Sequence, residues 1–169
     1  MISLLRLVFA ALIGAALSQF PAFSDQYVQR LGGQVDALTR VAAEFDASAD
    51  RAGLSREAAL ADLSGSEFRE MHQGDMRQVF TRLSRAANDL QMLRIAGPLE
   101  RMLLPHRLRD TETLAATWGD FRPAIPVTSA GLIAAGIGFL IGWVIWGLVG
   151  VLFRRRSHAR PSRREPGLR

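Results

Sequence analysis

From Val127 to Phe153 the chain reads VTSAGLIAAGIGFLIGWVIWGLVGVLF, a stretch without a single charged residue, and it stops abruptly at Arg154-Arg155-Arg156. As a helix rising 1.5 Å per residue it would be roughly 40 Å long, more than the ~30 Å hydrocarbon core of a bilayer requires. A core helix of a water-soluble domain seldom runs so far without a polar face. The segment 126–153 is therefore expected to be a transmembrane helix.

A second apolar run, Ile2 to Phe23, carries only Arg6. Two readings fit it. As an uncleaved anchor over 1–23, it keeps Arg6 at the headgroups by snorkelling. As a signal peptide, it offers small residues at Ala22 and Ser24 before a cut ahead of Asp25. The anchor is the leading reading, and both put the middle of the chain on the same side.

Charge is distributed unevenly. Residues 24–125 hold thirteen arginines against fifteen carboxylates, whereas residues 154–169 hold seven arginines against Glu165 alone. The net charge of +5 thus belongs to the tail. A nearly neutral middle argues against a globular nucleic-acid binder, and the tail lacks the aromatic platform that single strands stack on. Arg6 and Arg154, Arg155 and Arg156 flank the two runs on one side, which the positive-inside rule assigns to the cytoplasm. Both termini are expected inside the inner membrane of a bacterium, with residues 24–125 periplasmic and the basic tail 154–169 on anionic headgroups. Trp118 and Phe121 precede the second span where an outer-leaflet aromatic belt would fall, while Trp143 and Trp146 sit deep enough to be packing residues.

Within 24–125, Tyr27, Leu31, Val35, Leu38, Ala42, Phe45, Ala49 and Ala52 recur in steps of four and three. Phe68, His72, Met76, Val79, Leu83, Ala86, Leu90 and Leu93 repeat the pattern. Each set forms one apolar seam along a helix. Two seams of equal length with a short connection predict an antiparallel, coiled-coil-like hairpin. Gly53 can end the first helix, Ser55 can cap a short one through Leu63 that Gly65 closes, and Ser66 can cap the second long one. After the break at Gly97-Pro98, short helices are expected through Leu104 and over Asp110–Gly119. Strand signals are nearly absent. The fold class expected is an all-α membrane protein: two transmembrane helices bracketing an extracytoplasmic antiparallel helical hairpin with short extra helices.

The segments Ser18-Gln19-Phe20-Pro21 and Gln26-Tyr27-Val28-Gln29-Arg30-Leu31-Gly32-Gly33, with Gly53-Leu54-Ser55 and Ala96-Gly97-Pro98-Leu99, are moderately specific. With the two-span layout they resemble the proteobacterial membrane family catalogued as domain of unknown function 2937. The resemblance covers residues 1 to about 153. It implies the two-span topology and carries no activity, cofactor or catalytic residue.

Chemistry is sparsely signalled. With no cysteine, disulfides, thiolate metal sites and cysteine nucleophiles are excluded. With no lysine, a phosphate-binding loop of the usual kind is excluded too. A di-iron bundle needs Glu three residues before His, and Arg69 stands there relative to His72. In a hairpin His72 would approach Asp46 and Asp50, with Asp75 one turn on, a cluster that could respond to external pH. An ordinary, partly exposed histidine explains the same residue more simply. Small residues at intervals of four, Ala10, Gly14 and Ser18 in the first run and Ala130, Ala134, Gly138 and Gly142 in the second, could bring two membrane helices into close packing.

No catalytic constellation and no cofactor is expected. The leading expectation is a structural or adaptor protein whose external helices mediate assembly, as a homo-oligomer or with another membrane protein. An accessory subunit of a sensor complex, or a small oligomeric channel or transporter subunit, is the alternative. The second span has only Thr128 and Ser129 to line a pore, which ranks the channel lower.

Overall fold

The computed structural model describes residues 2–123 and 125–157, the side chains of Ile2 and of positions 150–157 excepted. The elements are α1 (Ile2–Ser18), α2 (Phe20–Arg51), α3 (Arg56–Asp62), α4 (Glu67–Ile95), two 3₁₀ turns (Glu100–Leu103 and Pro105–Arg107), α5 (Thr111–Asp120) and α6 (Ser129–Ser157). Among the described residues there is no strand. They fall into two compact units: Pro21–Pro123 is one, and the described parts of Met1–Phe20 and Ala124–Arg169 are the other.

The first apolar run does not continue as one helix to Phe23. Pro21 lacks the N–H that would bond to the carbonyl of Leu17, and its ring crowds that carbonyl. The helix closes at Ser18, Gln19 N–H turns back onto the Ala16 carbonyl at 3.2 Å, and α2 begins with Pro21 in its first turn. The unit boundaries consequently lie at Pro21 and Pro123, a few residues from the expected 24 and 125.

Punctuation inside Pro21–Pro123 follows local rules. At the end of α2, Leu54 N–H bonds to the Ala49 carbonyl and Gly53 N–H to that of Asp50, both at 2.9 Å. This paired closure needs a left-handed residue, and Gly53 supplies it at φ +69°. The Ser55 hydroxyl accepts from Ala58 N–H, the Ser66 hydroxyl from Arg69 N–H and the Asp110 carboxylate from Thr113 N–H, capping α3, α4 and α5. The stretch after Gly97-Pro98 forms two 3₁₀ turns instead of one short helix. Pro105 interrupts it by removing a donor.

Contacts between α2 and α4 come in antiparallel order: Phe45 meets Phe80 edge-on at 5.6 Å, and the Arg94 guanidinium passes over Gly32. Tyr27, Leu31, Leu38, Ala42 and Ala49 are buried on α2, and Met76, Ala86, Leu90 and Leu93 on α4. Phe68 and His72, assigned to the α4 seam by spacing, are exposed, Phe68 at 79%. The first turns of α4 lie beside α3, where Gln73 Nε2 donates to the Leu60 carbonyl at 2.5 Å, and neither Phe68 nor His72 is covered there.

Candidate functional site

The α1 and α6 helices pack against each other in antiparallel order through their small residues. A Cβ on Gly142 would stand 2.8 Å from Ala10 Cα, and one on Gly138 2.9 Å from Gly14 Cα and 2.8 Å from the Ile13 carbonyl oxygen. One on Gly14 would stand 2.8 Å from the Ala135 carbonyl oxygen. Ser18 and Ala134 are buried and Ala130 half-buried. Ser18 satisfies its hydroxyl within α1 by donating to the Ala15 carbonyl at 2.6 Å. Backbones so close gain dispersion and weak Cα–H···O contacts that larger residues would prevent. The outward faces are apolar and exposed, as at Leu4, Leu12, Leu132, Leu140, Val144 and Leu148. The helical run Ser3–Arg51, which begins with α1, and the stretch Ser129–Val149 of α6 are long and apolar enough to cross a membrane.

Arg6 is half-buried: its Nε donates to the Trp143 carbonyl at 2.9 Å and its guanidinium lies 4.0 Å from the Trp143 ring centroid. A helical carbonyl has a second lone pair, and the indole face attracts a cation. Gly147 leaves the room, since a Cβ there would stand 3.0 Å from Arg6 Nη2. Trp146 is met by Phe9 at 5.4 Å and Trp143 by Phe139 at 6.0 Å, so both tryptophans are in packing contacts. The side chains of Arg154, Arg155 and Arg156 lie outside the described residues, as does the tail from His158 onward.

In Pro21–Pro123 the charges concentrate where the 3₁₀ turns and α5 return to α4. Asp110 caps α5 and takes two 3.0 Å hydrogen bonds from Arg82, while its own N–H donates to the Tyr27 hydroxyl at 3.3 Å. Arg82 also meets Glu112 at 2.7 Å. The buried Asp89 carboxylate accepts from Arg107 at 3.0 Å and from Arg109 at 2.7 Å. Arg101, buried, donates to the Leu93 carbonyl at 2.7 Å and pairs with Asp25. Burial alone would raise the Asp110 pKa. The hydrogen bonds from Arg82 and Thr113 outweigh it and hold the carboxyl below its usual range. The same bond, against the cost of burial, raises Arg82, and burial pushes the Tyr27 phenol up.

Beside these pairs lies an open cleft of about 760 Å³, floored by Leu31 and Leu38 and rimmed by Asp75, Arg77 and Arg85. Of the charges lining it, Arg82, Asp89, Arg109, Asp110 and Glu112 are held in the pairs above, which with the Tyr27 and Asp25 contacts clamp residues 100–120 onto α4 and α2. Sequence reasoning missed this clamp. Its only signal is the run Arg107-Leu108-Arg109-Asp110, together with Asp89 standing next to a seam leucine.

His72, Asp46, Asp50 and Asp75 are not gathered into one cluster. Asp46 takes a bidentate contact from Arg56 at 2.8 and 2.5 Å, and hydrogen bonding with Arg56 lowers its pKa. Arg56 in turn lies over Phe80. Asp75 lines the wide cleft, whereas His72 stacks beside Phe68 and lines a separate hollow with Ala49 and Ala52. Among the described residues no hydrogen bond or ion pair joins His72 to these carboxylates, and no group of three or more His, Asp or Glu is placed to hold a metal ion.

Comparison with curated proteins and with solved structures gives no match. One family model covers residues 1–158, nearly the whole chain, including both apolar helices and the charged domain between them. The chain therefore belongs to the family described as protein of unknown function (DUF2937).

Proposed function

We propose that this protein is a bacterial inner-membrane adaptor, anchored by α1 and α6 as a transmembrane pair and presenting Pro21–Pro123 to the periplasm. Both termini are cytoplasmic in this reading, and Arg154, Arg155 and Arg156 engage anionic headgroups. The close-packed glycine seam beneath an uninterrupted apolar outer surface supports the anchor, because such a pair in water would expose apolar area far beyond that of a soluble monomer.

The external domain is taken as a coiled-coil-like antiparallel hairpin of α2 and α4, non-catalytic and without a cofactor. One observation carries the docking role. The first turns of α4 leave two large apolar side chains, Phe68 and Met71, exposed at 79% and 63%. Uncovered aromatic and Met side chains at one end of a helical domain are suited to a partner's apolar surface. The partner is a second copy of this chain or another membrane protein.

The test is site-specific photo-cross-linking in cells, with a benzophenone amino acid placed at Phe68 and, separately, at exposed Glu57 on α3. Discrete adducts from position 68 but not from 57 support docking at this end. Membrane-inserted protein that yields no adduct from position 68 or 71 contradicts it.

A further inference from the structure

Arg6 is held on one side and open on the other. Its Nε is committed to the Trp143 carbonyl and its flat face to the Trp143 ring, over the gap left by Gly147. Its two terminal nitrogens have no hydrogen-bond acceptor among the described residues, and neither is among the buried atoms left without a partner. They are therefore not sealed off, although Nη2 lies close over Gly147. Neither α1 nor α6 contains a single Asp or Glu, so neither helix offers Arg6 a counter-ion.

Resting on the membrane reading above, we infer that Arg6, Trp143 and Gly147 form a seat for the phosphate of one phospholipid. Arg6 lies one helical turn inside the start of α1, about 6 Å from Ile2, at the end of the pair where α6 runs on toward Arg154. An unpaired guanidinium at that depth is costly, and it draws in phosphate and water by local thinning of the leaflet. A guanidinium fork matches phosphate oxygens two at a time, which an ammonium cannot do. Here the fork is already oriented: the Trp143 carbonyl and ring fix the plane, and the two outer nitrogens present parallel N–H groups. Gly147 is part of the site, because a side chain there would push the guanidinium off the ring.

The test uses the full chain in nanodiscs of phosphatidylethanolamine and phosphatidylglycerol in phosphate-free buffer, with native mass spectrometry counting phospholipids retained after release. Wild type is expected to retain one phospholipid per chain. Arg6→Gln and Gly147→Val are expected to lower that occupancy roughly tenfold, and Arg6→Lys to give a smaller loss. Carbonate-resistant sedimentation of the same proteins reports insertion independently. Inserted wild type that holds no more lipid than inserted Arg6→Gln overturns the seat and leaves the membrane reading standing. Wild type that fails to insert overturns both. Displacement of the retained lipid by millimolar inorganic phosphate would assign the site to the free anion, contradicting the lipid assignment.

Discussion

A Cβ on Gly138 would press on the Ile13 carbonyl oxygen at 2.8 Å, whereas one on Gly136, two residues earlier on the same helix, would meet nothing within 4 Å. Gly138→Leu is therefore expected to weaken the α1–α6 pair by about 1–3 kcal/mol, and Gly136→Leu to leave it nearly unchanged. Titration with a denaturing detergent, followed through Trp143 and Trp146 emission, separates the two variants. Equal effects would mean that the small-residue seam is not what joins the helices. In the other unit, Asp110 caps α5 and binds Arg82, so Asp110→Ala should cost roughly 1–2 kcal/mol in urea melts at neutral pH. Its folded pKa lies below the ordinary 3.8, so its contribution is complete above the unfolded value and is lost as pH falls through the folded one. Stability should accordingly fall less steeply below about pH 4 in Asp110→Asn than in wild type. The caps at Ser55 and Ser66 and the closure at Gly53 were legible in the sequence, because each depends on neighbours within a few residues. Asp89 was not. Its burial depends on Arg107 and Arg109 arriving from almost twenty residues away, and no local pattern encodes that return.

At the scale of elements, α4 shows the limit of periodicity: it identified an apolar face beginning at Phe68, and could not say that the first turns of α4 lie beside α3 and leave Phe68 exposed. His72 is exposed and joined to none of Asp46, Asp50 and Asp75 by a hydrogen bond or ion pair among the described residues, so His72→Ala is expected to shift domain stability by no more than about 0.5 kcal/mol, measured by the same urea melts at neutral pH. A loss of several kcal/mol would mean that His72 is bound into the core after all. The segment 96–110 has the opposite character. With little helix of its own, it is held by side chains, chief among them Arg101 on the Leu93 carbonyl and Asp25. Arg101→Ala should leave α2 and α4 protected while amide hydrogens of the two 3₁₀ turns exchange at least tenfold faster, read by hydrogen–deuterium exchange. Uniform loosening of the whole domain would contradict that division. A short helix was expected through Leu104; the structure has a 3₁₀ turn over Glu100–Leu103 there and a second over Pro105–Arg107 that the sequence did not announce.

For the molecule as a whole, the decisive sequence features were the charge-free stretch ending at Arg154 and the apolar run around Arg6. Both emerge as helices, and their small-residue stripes meet. What hydropathy could not give was the break at Gln19, which assigns Pro21 onward to the charged unit, or the inward turn of Arg6 onto Trp143. The central claim is that α1 and α6 both cross the bilayer with Pro21–Pro123 outside. The absence of cysteine makes it directly testable, since any thiol introduced is the only one present. Single-cysteine variants Ser64→Cys, in the connection before α4, and Ser157→Cys, at the end of α6, would be treated in intact spheroplasts with a membrane-impermeant maleimide. The account predicts that position 64 is labelled at once and position 157 only after the membrane is opened. Labelling of position 157 in sealed spheroplasts, or protection of position 64, would contradict it.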